Sequence, residues 1–119
     1  DNDFGRSAYS SSKAALNSIS KVMSKELSRF NIRVNVIAPG LVDTQMMRGK
    51  TEEKYLNDTI NKLNVKRIAT PKEISKLAIY LASDDSSYVS GEIIRIDGGM
   101  GSWLFLLFNK KKGIKVRYE

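Results

Sequence analysis

The sequence predicts an α/β fold, one edge of a larger parallel sheet, and three observations predict it. Apolar residues recur at helical steps from Ser7 to Phe30. Two short β-branched runs follow, Ile32 to Ala38 and Glu92 to Ile96, each stopped by a turn signal. Roughly fifty residues of mostly helical pattern separate them, a length that suits a parallel crossover and not a hairpin. A parallel pair needs helices on both faces and further strands beside it, so these two strands alone do not complete a sheet.

Element by element, Leu16, Ile19, Met23, Leu27 and Phe30 line one face of the first helix, with Lys21, Ser24, Lys25 and Ser28 between them. Asn31 ends it, and Ile32–Ala38 reads as a buried strand that leaves through Pro39-Gly40. Thr51-Glu52-Glu53 opens a helical excursion with Leu56, Ile60 and Leu63 on one face. Thr70-Pro71-Lys72-Glu73 places a hydroxyl at the cap, proline at the first helical position and a glutamate that reaches back to the cap amide. Ile74, Leu77, Ala78, Leu81 and Ala82 continue that helix until Asp84-Asp85-Ser86-Ser87 interrupts it. Gly91 turns the chain into Glu92–Ile96, which Asp97-Gly98-Gly99 stops.

Composition narrows the chemistry. The 119 residues contain no cysteine and no histidine, so disulfides, thiolate nucleophiles, iron-sulfur clusters, cysteine zinc sites and imidazole bases are excluded. Proton chemistry is left to Tyr, Lys, Asp or Glu. The net charge of +7 is concentrated at the end: Lys110, Lys111, Lys112, Lys115 and Arg117 against Glu119 carry +4 of it. The remaining body alternates in sign like a solvated surface, which argues against nucleic acid as a partner. No apolar stretch approaches the roughly 18 to 20 residues that span a bilayer. Nothing before Ser7 reads as a signal peptide, and because the chain begins at Asp1 it is expected to be a piece of a longer protein or the product of a truncated gene. A cytoplasmic location is expected.

Tyr9 and Lys13 stand four apart and therefore on one helical face, their Cβ atoms about 5 to 6 Å apart. Among five tyrosines, Tyr9 alone has a lysine or arginine four residues on. A surface pair on a solvated helix accounts for that spacing; so does a general acid, a phenol whose ionised form a neighbouring ammonium stabilises.

The surroundings of the pair distinguish the two. Ser7-Ala8-Tyr9-Ser10-Ser11-Ser12-Lys13-Ala14-Ala15-Leu16, then Ile32 to Thr44 (IRVNVIAPGLVDT), then Arg67 to Ile74 (RIATPKEI), then Tyr88 to Gly99 (YVSGEIIRIDGG) occur in that order. Together they resemble the C-terminal half of the short-chain dehydrogenase/reductase family over about residues 4 to 100. Within the family the wording is nearest to 3-oxoacyl-acyl-carrier-protein reductases of fatty acid biosynthesis and to related sugar or alcohol dehydrogenases.

The resemblance implies the C-terminal part of a Rossmann-type, doubly wound parallel sheet, in which Ile32–Ala38 is the sixth strand and Glu92–Ile96 the seventh. It implies nicotinamide-dependent carbonyl reduction or alcohol oxidation with NADP or NAD. Tyr9 would give its proton to the carbonyl oxygen, while Lys13 would hold the nicotinamide ribose and favour the Tyr9 phenolate. Pro39 and Gly40 would turn the chain beneath the nicotinamide, and the Val42 backbone with the Thr44 hydroxyl would hold its carboxamide or pyrophosphate region. The same Pro39, Gly40 and Thr44 also read as a strand exit and a helix cap. The implied partners are a small or carrier-bound keto substrate and further copies of the chain, as a dimer or tetramer.

Departures from the family are large. No G-x-x-x-G-x-G loop occurs, the first five strands are missing, and the catalytic serine would fall before Asp1. The chain thus holds part of a site. The alternative is a non-catalytic chain that retains only the oligomerisation surface. Residues 101–119 form a separate tail in which Trp103 to Phe108 is an uninterrupted apolar run, followed by Lys110-Lys111-Lys112 and the alternating Ile114 to Tyr118. A hairpin, an interfacial membrane contact and read-through beyond the coding frame all fit it. Exposed, the run is an aggregation hazard.

Overall fold

The computed structural model describes residues 7–49 and 52–100. The expectations for the tail, residues 101–119, and for Thr51 lie outside the described residues. Helix α1 (Ser7–Glu26) precedes strand β1 (Val36–Pro39), and helices α2 (Gln45–Arg48), α3 (Glu53–Lys62) and α4 (Pro71–Ala82) lie between β1 and strand β2 (Ile93–Ile96). The strands pair. Val36 N–H donates to the Glu92 carbonyl and Gly40 N–H to the Ile96 carbonyl, a constant offset that makes the pair parallel, as predicted. Contacts divide the chain into two compact units. One is the stretch ending at Ala38 with Lys76–Ile94; the other is Pro39–Ser75 with the stretch beginning at Arg95.

In the first unit, α1 stops at Glu26, short of the predicted Phe30, because Ser28–Phe30 tightens into a 3-10 turn. Asn31 then takes the left-handed conformation at φ 59° and closes the turn with an N–H bond to the Ser28 carbonyl, so it is the terminator the sequence suggested. The strand predicted from Ile32 begins only at Val36. Side chains replace part of the ladder before it: Asn35 Nδ2 donates to the Val89 carbonyl at 2.9 Å, and its Oδ1 accepts from Glu92 N–H at 3.2 Å. Gly91, at φ 82°, makes the expected turn and donates its N–H to the Val34 carbonyl.

Arg33 is the centre of this unit. Its guanidinium donates to the carbonyls of Val89 (3.1 Å), Leu81 (2.9 Å) and Ser83 (3.0 Å), tying the start of the strand segment to the C-terminal end of α4. A cation among the carbonyls of a helix C-terminus is favourably placed. Ser86, 1% exposed, also donates to the Leu81 carbonyl, so the turn after α4 is satisfied from two sides. Arg33→Met is expected to destabilise the fold by about 1.5 to 3 kcal/mol, since its charge-assisted bonds to three carbonyls are lost while Ser86 and Asn35 still donate to those carbonyls. Urea unfolding of the variant checks this, and an unchanged midpoint would refute the clamp.

In the second unit, Leu63 is the large hydrophobic side chain that is buried, at 2% exposure, with Leu56 and Ile60 half-buried along the predicted face of α3. Val65 N–H donates to the Gly98 carbonyl, and Val42 forms a parallel bridge with Ala69. The cap of α4 differs in detail from the predicted reciprocal box. Glu73 reaches back and accepts from Thr70 N–H at 2.8 Å, but the Thr70 hydroxyl donates to that same carboxylate at 3.2 Å. Arg67 completes the cluster with a two-pronged bond to Glu73 at 2.6 and 2.9 Å.

Arg67, and after it the Thr70 N–H, hold the Glu73 carboxyl down to about 2, from an ordinary 4.5. The folded state therefore binds this proton less readily than the unfolded chain. The stabilisation is complete above 4.5 and is lost as pH falls from there through about 2. Glu73→Gln is expected to flatten that part of an acid-unfolding profile. A profile identical to that of the parent sequence would show that the cluster does not couple to folding.

Candidate functional site

Tyr9 and Lys13 lie in the first two turns of α1, in the first unit. The helical spacing brings them together as predicted: Lys13 Nζ is 5.5 Å from the centre of the Tyr9 ring, inside the range of attraction between an ammonium and an aromatic face. The Tyr9 side chain is 64% exposed, so its hydroxyl is accessible to a reacting molecule. The Ser12 hydroxyl donates to the Tyr9 carbonyl at 2.7 Å, the usual back-bond of a helical serine; Ser20, Ser24 and Ser28 make the same one farther along.

Pro39, Gly40, Val42 and Thr44 belong to the second unit, on the segment that leaves β1. Pro39, which has no N–H to offer a ladder, is the last residue of the strand. Gly40 donates to the Ile96 carbonyl, and a Cβ there would stand 2.7 Å from Asp97 Cα, so only glycine fits. The Val42 bridge uses its neighbours' polar groups: Ala69 N–H donates to the Leu41 carbonyl and Asp43 N–H to the Ala69 carbonyl. The N–H and C=O of Val42 itself therefore point to the other side, where no partner is found among the described residues.

Thr44 is the N-cap of α2, in extended conformation, and its Oγ1 accepts from Met47 N–H at 3.3 Å. That bond uses a lone pair and leaves the hydroxyl proton available. Both functions expected of Gly40 and Thr44, strand exit and helix cap, are realised. Beside them Asp43 takes a two-pronged bond from Arg48 at 2.6 and 2.5 Å, and the guanidinium holds the Asp43 carboxyl below its usual range.

The sequence reading missed Arg33, Asn35 and the Asp43–Arg48 pair. The spacing of five between Asp43 and Arg48 was a readable signal for the last. Arg33 and Asn35 answer backbone groups 48 to 57 residues away, which no local pattern announces. No cluster of metal-ligating side chains occurs among the described residues.

The family model described as enoyl-(acyl carrier protein) reductase matches residues 4–101. A 3-oxoacyl-acyl-carrier-protein reductase of Chlamydia muridarum is 42% identical over 96 residues, covering 81% of this chain and 38% of that protein. The corresponding reductase MabA of Mycobacterium tuberculosis strain H37Rv is 40% identical over 93 residues, covering 78% of this chain and 37% of its own length. Among solved structures, hydroxysteroid dehydrogenase from Escherichia coli superposes with a TM-score of 0.77 at 32% identity, over 82% of this chain and 41% of that one. A Pseudomonas aeruginosa RhlG/NADP active-site complex superposes with a TM-score of 0.70 at 39% identity, over 79% of this chain and 38% of that one. This chain thus carries, in the segment that bears Tyr9, Lys13 and the β1 exit, about two-fifths of the length of the curated relatives it matches, and it belongs to the short-chain dehydrogenase/reductase family.

Proposed function

We propose that this chain is the C-terminal segment of a nicotinamide-dependent reductase acting on a 3-oxoacyl or similar keto group, or oxidising the corresponding alcohol. The observation that carries the reading is the Tyr9–Lys13 pair, 5.5 Å from ammonium to ring centre, in a segment 42% identical to a 3-oxoacyl-acyl-carrier-protein reductase. Tyr9 holds a proton on its phenol oxygen and passes it to the substrate oxygen, or takes it back in the oxidative direction. Lys13 stabilises the phenolate left behind and offers N–H donors to the ribose hydroxyls of a dinucleotide.

The β1 exit fits one end of NADP or NAD. The unengaged N–H and C=O of Val42 match the donor and acceptor needs of a carboxamide, and the Thr44 hydroxyl has a proton to give to a phosphate oxygen. Pro39 and Gly40 shape the turn that presents them. When bound, the cofactor supplies hydride. A solved relative named as an NADP complex supports NADP, although the residues that would select between the two cofactors are not in this segment. Carrier-bound substrates, a homo-oligomer and a cytoplasmic location follow from the same reading.

A chimera joining residues 4–100 to the N-terminal strands of a matched reductase tests it, by NADPH oxidation with a 3-oxoacyl thioester. Lys13→Ala in that chimera is expected to lower turnover and to weaken cofactor binding several-fold as well, because one ammonium serves both ribose and phenol. Unaltered cofactor affinity would return Lys13 to an ordinary solvated helix. The second reading, a non-catalytic chain retaining only an oligomerisation surface, draws on the exposed stripe of Leu16, Ile19 and Val22 on α1. An inactive chimera that still assembles would favour it.

A further inference from the structure

We draw no further inference here: the strongest candidate, the apolar cavity of about 190 Å³ in the second unit between Leu41, Leu63, Val65 and Ile96 with the Arg67–Glu73 pair at its edge, carries nothing because nothing in the structure shows what covers it.

Discussion

Tyr9→Phe, introduced into the chimera that carries residues 4–100, is expected to lower turnover by at least about a hundredfold, the range associated with loss of a positioned general acid. The substitution removes one oxygen and keeps the ring. With its side chain 64% exposed, Tyr9 contributes little to packing, so the fold should survive intact. Lys13 keeps its aromatic neighbour 5.5 Å away, and cofactor affinity should change little. A fall in kcat with unchanged Kd for NADPH is therefore the signature, and it separates chemistry from binding. Steady-state kinetics alongside a fluorescence titration reads both. Turnover equal to that of the unsubstituted chimera would remove Tyr9 from the reaction and leave the pair as a surface feature of α1.

That the pair could be found at all follows from helix geometry. Residues four apart share a face whatever the rest of the fold does, so Tyr9 and Lys13 were legible from spacing and only their surroundings were needed to give them meaning. Three helices were legible for a related reason: α1, α3 and α4 declare their faces by apolar periodicity and α4 its start through Thr70-Pro71, whereas the four-residue α2 was announced only by its cap, Thr44. Strand limits were harder. Ile32 to Asn35 has the composition of a strand, but Asn35 offers an amide that imitates a backbone pair, and the ladder starts at Val36.

Other features depended on partners distant in sequence. Gly40 looks like a turn glycine, yet what forbids a side chain is Asp97, brought close only by the pairing of β1 with β2. Val42 acquires its unengaged amide from a bridge to Ala69. Arg33 looks like a solvated charge in an alternating run, and its three acceptors are backbone carbonyls of Leu81, Ser83 and Val89, which carry no signature of their own. Long-range closure of this kind is decided by packing and not by local propensity.

The 119-residue chain by itself is expected to reduce no keto substrate measurably, to bind NADPH more weakly than micromolar, and to associate or stay partly molten in solution. Pyrophosphate binding in this fold relies on a glycine-rich turn and the helix N-terminus behind it, which aim backbone N–H groups and a favourable dipole at the anion. No G-x-x-x-G-x-G occurs in the sequence, so the turn that such binding uses is missing from these 119 residues. The apolar balance points the same way. Among the described residues Leu63 is the large hydrophobic that is buried, while Leu16, Ile19, Val22, Phe30 and Ile79 are between 50% and 68% exposed. Among the described residues the sheet has two strands, whose outer edges invite another chain. A folded domain of this size usually hides most such side chains, and their exposure favours loose packing or association over a single rigid monomer. NADPH titration followed by fluorescence, run beside size-exclusion chromatography, reads both halves of the expectation. A monodisperse monomer that binds NADPH at micromolar concentration would show that this segment alone builds the cofactor site, and that the apolar faces of α1 and α4 are stable in water.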